Sequence, residues 1–195
     1  MDRATEIRKT AISLFAEQGY RGTSMKDIAS ALNMRAPSLY NHLESKQELL
    51  REVVMGTITR LRADFDAATS EASDPVDAVR RATAVHVLLH ARHPDETRIG
   101  NREIPSIDEP VRTEYLRQRA EYSNAWQSLV QTGIDAGAFS VPSPKFAVFA
   151  ILEMGIGVAN WYRPDGELSD VEIGAYFGEL ALQMLGRHDE GFGGK

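Results

Sequence analysis

The sequence predicts an all-α protein of about nine helices, and three observations carry that prediction. Apolar residues recur at three- and four-residue intervals through most of the chain. Helix-start signals punctuate them: Ser24 with Asp27, Ser45 with Glu48 and Ser169 with Glu172 read as capping boxes, while Asp74-Pro75 and Ser143-Pro144 read as a cap followed by a first-turn proline. No stretch alternates as a half-buried strand does, and no internal repeat is visible.

The first helix is expected over about Thr5 to Gln18, with Ile7, Ala11, Leu14 and Phe15 on one face. Two short helices follow within Thr23 to Lys46, TSMKDIASALNMRAPSLYNHLESK. Ser24 caps the second helix, and Ile28, Ala29 and Leu32 form its apolar face. Asn33 ends it, because asparagine tolerates the left-handed turn geometry. Pro37 suits the first turn of a third helix, expected from Pro37 to Leu43. Leu39 and Leu43 face the core, which leaves Ser38, Tyr40, Asn41 and His42 outward. The fourth helix runs from about Lys46 into the sixties, with Leu50, Val54, Ile58, Leu61 and Phe65 as its stripe, and 69–73 is a polar break. A fifth is expected from Pro75 to about Arg92, and a short irregular sixth around Asp95 to Glu103. A long seventh should close near Gly137, an eighth should span Pro144 to about Trp161, and the last should end near Leu185. The Gly-rich tail, 188–195, is expected to be disordered.

Two short helices, a tight turn and the start of a further helix in one compact segment have the spacing of a helix-turn-helix, which lays one helix in the major groove of DNA. The competing reading is a three-helix packing unit without a DNA role, but a core helix seldom exposes Ser, Tyr, Asn and His together. On the DNA reading, Arg35, Ser38 and Asn41 are placed for base edges. Thr23, Ser24, Tyr40, His42 and Lys46 are placed for phosphates.

These residues carry a resemblance. The segment from about Ala4 to Val54, through AISLFAEQGYRGTSMKDIASALNM and APSLYNHLESKQELL, resembles the TetR family of transcriptional regulators. Gly19 stands where that family has glycine after the first helix, and Leu39-Tyr40 with His42 matches its L-Y-x-H core. Asn33 departs from the more usual glycine. The resemblance implies a DNA-binding domain over 1–46 and a helical ligand-binding and dimerisation domain over 47–187. It implies a dimeric repressor that reads a palindromic operator and is released by a small hydrophobic effector, with the tail 188–195 outside both domains.

Composition agrees. The chain has 195 residues and no cysteine, so disulfides and thiolate metal sites are excluded. No apolar run approaches the roughly 18 residues of a membrane span, and the charged N-terminus lacks a signal-peptide pattern, so the cytoplasm is the expected compartment. Net charge is −6, yet the first fifty residues hold seven Lys/Arg against six Asp/Glu, a balance of +1. A near-neutral head binds phosphate through hydroxyls, helix N-termini and a few cations, and so depends on a two-fold contact.

The eighth helix is apolar on nearly every side, from Phe146 to Val158, and is expected to be buried all round. Gly155 and Gly157 on it, and Gly174 and Gly178 on the ninth, would admit a close neighbour. Together the last two helices are expected to pair with their symmetry mates, where the resemblance also implies the dimer contact.

For the middle of the chain three features point to a ligand. His86, His90 and His93 share spacing that puts them on one helix face, so a metal is conceivable, although no metal or cofactor is expected without a further partner. Arginines between Arg92 and Arg119, among them Arg98, Arg102, Arg112 and Arg117, suit a phosphate or carboxylate but have acidic neighbours within reach. NREIPSIDEP, RQRAEYSNAWQSLVQTGIDAGAF and ILEMGIGVANWYRPDGELS resemble regulators of fatty-acid and sterol breakdown that respond to acyl-CoA. That resemblance fits a pocket lined by Tyr115, Tyr122, Trp126, Phe149 and Trp161, with arginines such as Arg102 and Arg119 at its mouth. Glu153 and Asn160, polar within an apolar helix, are further candidates, as are His86 and His90. An enzyme is not expected: G-x-S-x-G, H-E-x-x-H and phosphate-loop patterns are absent. The G-x-G of Gly155–Gly157 lies inside a helix pattern with no strand before it.

Overall fold

A computed structural model describes residues 2–187, which form nine α-helices, one 3-10 turn and no strand. In order these are α1 (Arg3–Gln18), α2 (Met25–Ala31), α3 (Ala36–Leu39), α4 (Lys46–Ser70), α5 (Pro75–Arg92), α6 (Pro94–Arg102), the turn Ile104–Ser106, α7 (Val111–Asp135), α8 (Pro144–Trp161) and α9 (Asp170–Met184). The tail 188–195, expected to be disordered, lies outside the described residues.

The caps form as the sequence predicts, except that at α4 only half of the expected Ser45–Glu48 box is made and the Glu48 carboxylate turns to Arg51. Ser24 and Asp27 exchange both capping-box bonds at α2, and Ser169 and Glu172 do so at α9. Ser45 accepts the Glu48 amide at 3.0 Å, and Ser143 caps α8. Asn33 takes φ 52°, the left-handed geometry expected of it, and Gly19 (φ 79°) and Gly137 (φ 75°) close α1 and α7 where a side chain would be strained. One element is shorter than expected. The third helix ends at Leu39, and 40–42 continue as a turn in which the amides of His42 and Leu43 both reach Leu39 O at 3.0 Å. Asn41 and His42 propagate a helix poorly and the Ser45 cap follows at once, so only one regular turn remains.

The chain divides into two compact units, each holding part of α4 and of α7. The first comprises the chain up to Arg60 together with His93–Gln118. In it α1 packs on α2 and α6, over a core that includes Ile7, Phe15, Ile28, Leu39 and Ile99. Tyr115, expected in a ligand pocket, is instead a packing residue of this unit: its hydroxyl donates to Gly100 O at 2.6 Å and ties α7 to α6.

The second unit comprises Leu61–Arg92 and the chain from Arg119 onward. Its centre is α5, packed against α8 and α9. Val87, Ala91, Val158 and Ile173 form the buried cluster between them. Gly174 and Gly178 face α5 within the subunit: a Cβ on them would lie 3.3 Å from Ala84 O and 3.0 Å from Arg80 O. Those glycines therefore bring α9 against α5, a correction to their expected place at a contact with a second chain. Arg80–Glu179 (2.6 Å) and Arg92–Asp170 (2.5 Å) join the same two helices at their surface, where such pairs add little.

Candidate nucleic-acid interface and histidine cluster

The turn between α2 and α3 is built to expose one polar face. Leu39 and Leu43 are buried and hold α3 down, while Arg35, Ser38, Tyr40, Asn41 and His42 are all exposed, Tyr40 by 56%. Arg35 is the N-cap residue of α3 but makes no side-chain cap bond. The Tyr40 ring, beside Ser38, Asn41, His42 and Arg35, lies outside the core and is open to solvent.

Three residues expected at phosphates behave differently. Thr23 is 1% exposed, and its hydroxyl donates to Leu14 O (3.2 Å) and Gly19 O (3.0 Å). It locks the end of α1, and its side chain is withdrawn from any DNA contact. Lys46 points inward as well: its ammonium donates to Tyr20 O (2.7 Å) and Thr23 O and lies 4.3 Å over the Tyr20 ring. Partial desolvation lowers its pKa, since burial disfavours the charged ammonium. Ser24 stays exposed, but its hydroxyl is engaged with Asp27 at 2.6 Å. The sequence signal for these inward roles is weak, because Thr and Lys at helix starts suit both a phosphate and a neighbouring carbonyl.

In the second unit the structure brings together His86, His90, Tyr122 and Trp126, all at most 5% exposed. The hydrogen bonds fix the tautomers. Leu152 O can only accept, so His86 Nε2 (3.1 Å) carries the proton and His86 Nδ1 accepts from the Tyr122 hydroxyl (3.0 Å). His90 Nδ1 donates to His86 O at 2.8 Å. Burial holds both imidazoles below their ordinary pKa, with the neighbouring His90 adding to the effect on His86 and Arg119 adding to that on His90. Burial likewise raises the Tyr122 phenol. The Trp126 indole N–H is buried on the Tyr122 side of the cluster. Phe65 meets Tyr122 edge-to-face (5.8 Å) and Trp126 at a tilt (5.2 Å), and its place in the α4 stripe was its only sequence signal. Gly155 makes the room: a Cβ there would lie 2.3 Å from His86 Cδ2.

The other ligand candidates lie elsewhere. His93 leaves α5 and becomes the N-cap residue of α6, 2.8 Å from an Arg60 nitrogen, so the three histidines do not share a face. Among the described residues no group of His, Asp or Glu is arranged to hold a metal. Arg92, Arg98, Arg112 and Arg117 pair with Asp170, Asp95, Glu109 and Glu114, so their acidic neighbours claim them. Arg102 is exposed on the first unit, while Arg119 is half-buried in the second. Glu153 and Asn160, expected to line a pocket, are exposed on α8 along with Phe146 (70%), Phe149 (41%) and Trp161 (51%). The helical period explains it: 146, 149, 153 and 160 share one stripe, and the buried 148, 151, 155 and 158 share the opposite one. The eighth helix is thus buried on one side only, and its outer stripe is unpaired in the single chain.

An all-helical chain whose capped second helix, left-handed turn and short third helix present a polar face belongs to the helix-turn-helix class. It is a member of the TetR family of bacterial regulatory proteins: the family's N-terminal model matches residues 7–53, and a tetracyclin repressor-like C-terminal domain model matches 72–185. Among curated relatives, the HTH-type transcriptional repressor KstR2 of Mycobacterium tuberculosis is 26% identical over 191 residues, spanning 97% of this chain and 94% of that one. The solved structure of that ketosteroid transcriptional regulator superposes with a TM-score of 0.87 at 23% identity, covering 97% and 96% of the two chains. AibR, solved with isovaleryl coenzyme A and operator DNA, superposes at 0.76 with 24% identity over 94% and 98%.

Proposed function

We propose that this chain is a transcriptional repressor that binds a two-fold operator as a homodimer and lets go when an acyl-CoA or similar hydrophobic acyl compound binds. The observation that carries the reading is the exposed face of Arg35, Ser38, Tyr40, Asn41 and His42 behind a capped turn. In this reading residues 1–46 are the DNA-binding domain, with Arg35, Ser38 and Asn41 on base edges and Tyr40 and His42 on phosphates. Residues 47–187 bind the effector and the second subunit. The outer stripe of α8 with Phe146 and Phe149, together with Trp161 at the helix end and Val171 and Tyr176 exposed on α9, supports pairing with a second copy. The His86, His90, Tyr122 and Trp126 cluster, with Arg119 beside His90, is the proposed wall of the effector site. The protein acts by binding rather than catalysis, and in the cytoplasm, where the DNA is.

The test is a gel shift with the DNA upstream of its own gene at low salt, with isovaleryl-CoA and longer acyl-CoAs as probes. The expected result is one specific complex holding two chains, weakened at least tenfold by Tyr40→Ala at unchanged thermal stability, and reversed by an acyl-CoA. Absence of specific retardation removes the DNA reading. Retardation that no acyl compound alters leaves the DNA reading and removes the effector.

A further inference from the structure

The corner between α1 and α2, residues 19–24, sets how α2 and α3 are presented. Most of what holds this corner comes from the first fifty residues. Thr23 bonds back to α1, Lys46 gathers the Tyr20 and Thr23 carbonyls, and the Tyr20 hydroxyl donates to Gln47 Oε1 at 2.7 Å. One bond comes from far along the chain. The Tyr20 backbone N–H donates to Glu103 Oε1 at 3.1 Å.

Glu103 is held as firmly on its own side. It is the C-cap residue of α6, its amide reaches Ile99 O at 2.9 Å, and its second carboxylate oxygen accepts the Ser106 hydroxyl at 2.9 Å. The same α6 is fixed to α7 through Tyr115 and Gly100. A continuous set of bonds therefore runs from α7 through α6 and Glu103 to Tyr20, and on through Thr23 to the Ser24 cap of α2. It agrees with this that His93–Gln118 groups with the first sixty residues as one compact unit. The 3.1 Å bond is lost if α6 moves by about an ångström, since hydrogen bonds fail steeply with distance and angle.

We propose that Glu103 is the positioning residue that couples the end of α6 to the DNA-reading helices, so that operator binding and the state of α6 report on each other through this carboxylate. The proposal rests on the DNA-binding reading above and adds its regulatory link. By linkage, whatever favours one state of α6 must change operator affinity, and operator must change α6 by the same factor.

The experiment is amide hydrogen exchange on the full chain, with and without the upstream operator duplex. In the wild type, operator should slow exchange in the head and also in 94–106, by about fivefold or more, the lower end of ordinary coupling. Glu103→Gln keeps an acceptor for the Tyr20 amide and should retain the effect. Glu103→Ala should keep protection of the head while the slowing in 94–106 disappears. A packing role alone would change basal exchange but not its dependence on operator, nor its rescue by glutamine. Wild-type protein that binds operator without slowing 94–106 overturns the proposal, whether or not Glu103→Ala folds, as does wild-type slowing in Glu103→Ala. Failure of the wild type to bind any operator is a different result, and removes the reading beneath it.

Discussion

Adding one methyl group at Gly155 should destabilise the protein, while the same methyl at Gly56 should stabilise it. Both glycines lie inside long helices, where alanine is favoured over glycine by about 1 kcal/mol. At Gly56 a Cβ would meet nothing within 4 Å, so that gain should appear nearly whole. At Gly155 the Cβ would lie 2.3 Å from His86 Cδ2 and 2.8 Å from Nε2, so the imidazole has to move. His86 is buried and bonded at both nitrogens, and a shift breaks the bonds to Leu152 O and the Tyr122 hydroxyl. Overpacking costs about 1–3 kcal/mol, and stranding a buried polar partner costs about 1–3 kcal/mol more. Net of the helix gain, Gly155→Ala should lose about 3 kcal/mol, a Tm lower by roughly 6–12 °C in a chain of this size. Gly56→Ala should rise by roughly 2–4 °C. Thermal unfolding followed by circular dichroism, at one protein concentration because association also moves Tm, decides it. If Gly155→Ala is as stable as the wild type, the packing of His86 against α8 is wrong.

Thr23→Val keeps the shape of a buried side chain and deletes a hydroxyl that serves two carbonyls. It should cost about 1–2 kcal/mol, read in urea unfolding, whereas a phosphate contact would leave stability unchanged and alter only operator affinity. The buried histidines predict an acid-sensitive fold. His86 and His90 have folded-state pKa values below the ordinary 6.5, so the unfolded chain takes up protons first as pH falls through 6.5. Stability is then full above that value and falls below it, by up to about 1.4 kcal/mol per histidine between pH 7.5 and 5.5. Urea midpoints across that range check it, and a flat profile would mean that these imidazoles are not kept neutral by burial.

Much of this was legible locally. Capping pairs, first-turn prolines and Asn33 gave the starts and stops of helices within a residue or two, because the groups that satisfy a helix end are its sequence neighbours. Leu39 and Leu43 likewise identified the exposed face of α3 by difference. What sequence spacing withheld was the identity of the covering neighbour. Phe146 to Val158 is apolar on nearly every side, so periodicity put Glu153 and Asn160 on one stripe with Phe149 but could not say that this stripe faces outward. Gly174 and Gly178 form a small-residue face whether their neighbour is α5 or a second chain. Lys46 and Thr23 carry groups that suit a phosphate and a carbonyl equally, and only the fold of 19–24 turns them inward. His93 follows the spacing of His86 and His90, but the helix ends at Arg92 and breaks the face.

The cations that already have partners set a limit on how this head can hold DNA. Of the seven Lys and Arg in the first fifty residues, three have partners: Lys46 is drawn into the α1–α2 corner, while Arg3 (with Glu6 and Leu32 O) and Arg8 (with Glu52) pair at the exposed surface. Lys9, Arg21, Lys26 and Arg35 remain exposed. Each neutralised phosphate contributes about −0.9 to the slope of log K against log salt. Two heads with four free cations each therefore permit a slope no steeper than about −7, and one head alone about −3.6. In the proposed dimer the second copy doubles the phosphates that a head with so little net charge can neutralise, since hydroxyl and amide contacts orient the helix without adding much long-range attraction. Operator affinity measured across a salt series distinguishes the cases. A slope steeper than about −7 would show that Arg3, Arg8 or Lys46 abandons its partner on DNA, and would overturn the division of the head into cations that hold and cations that reach.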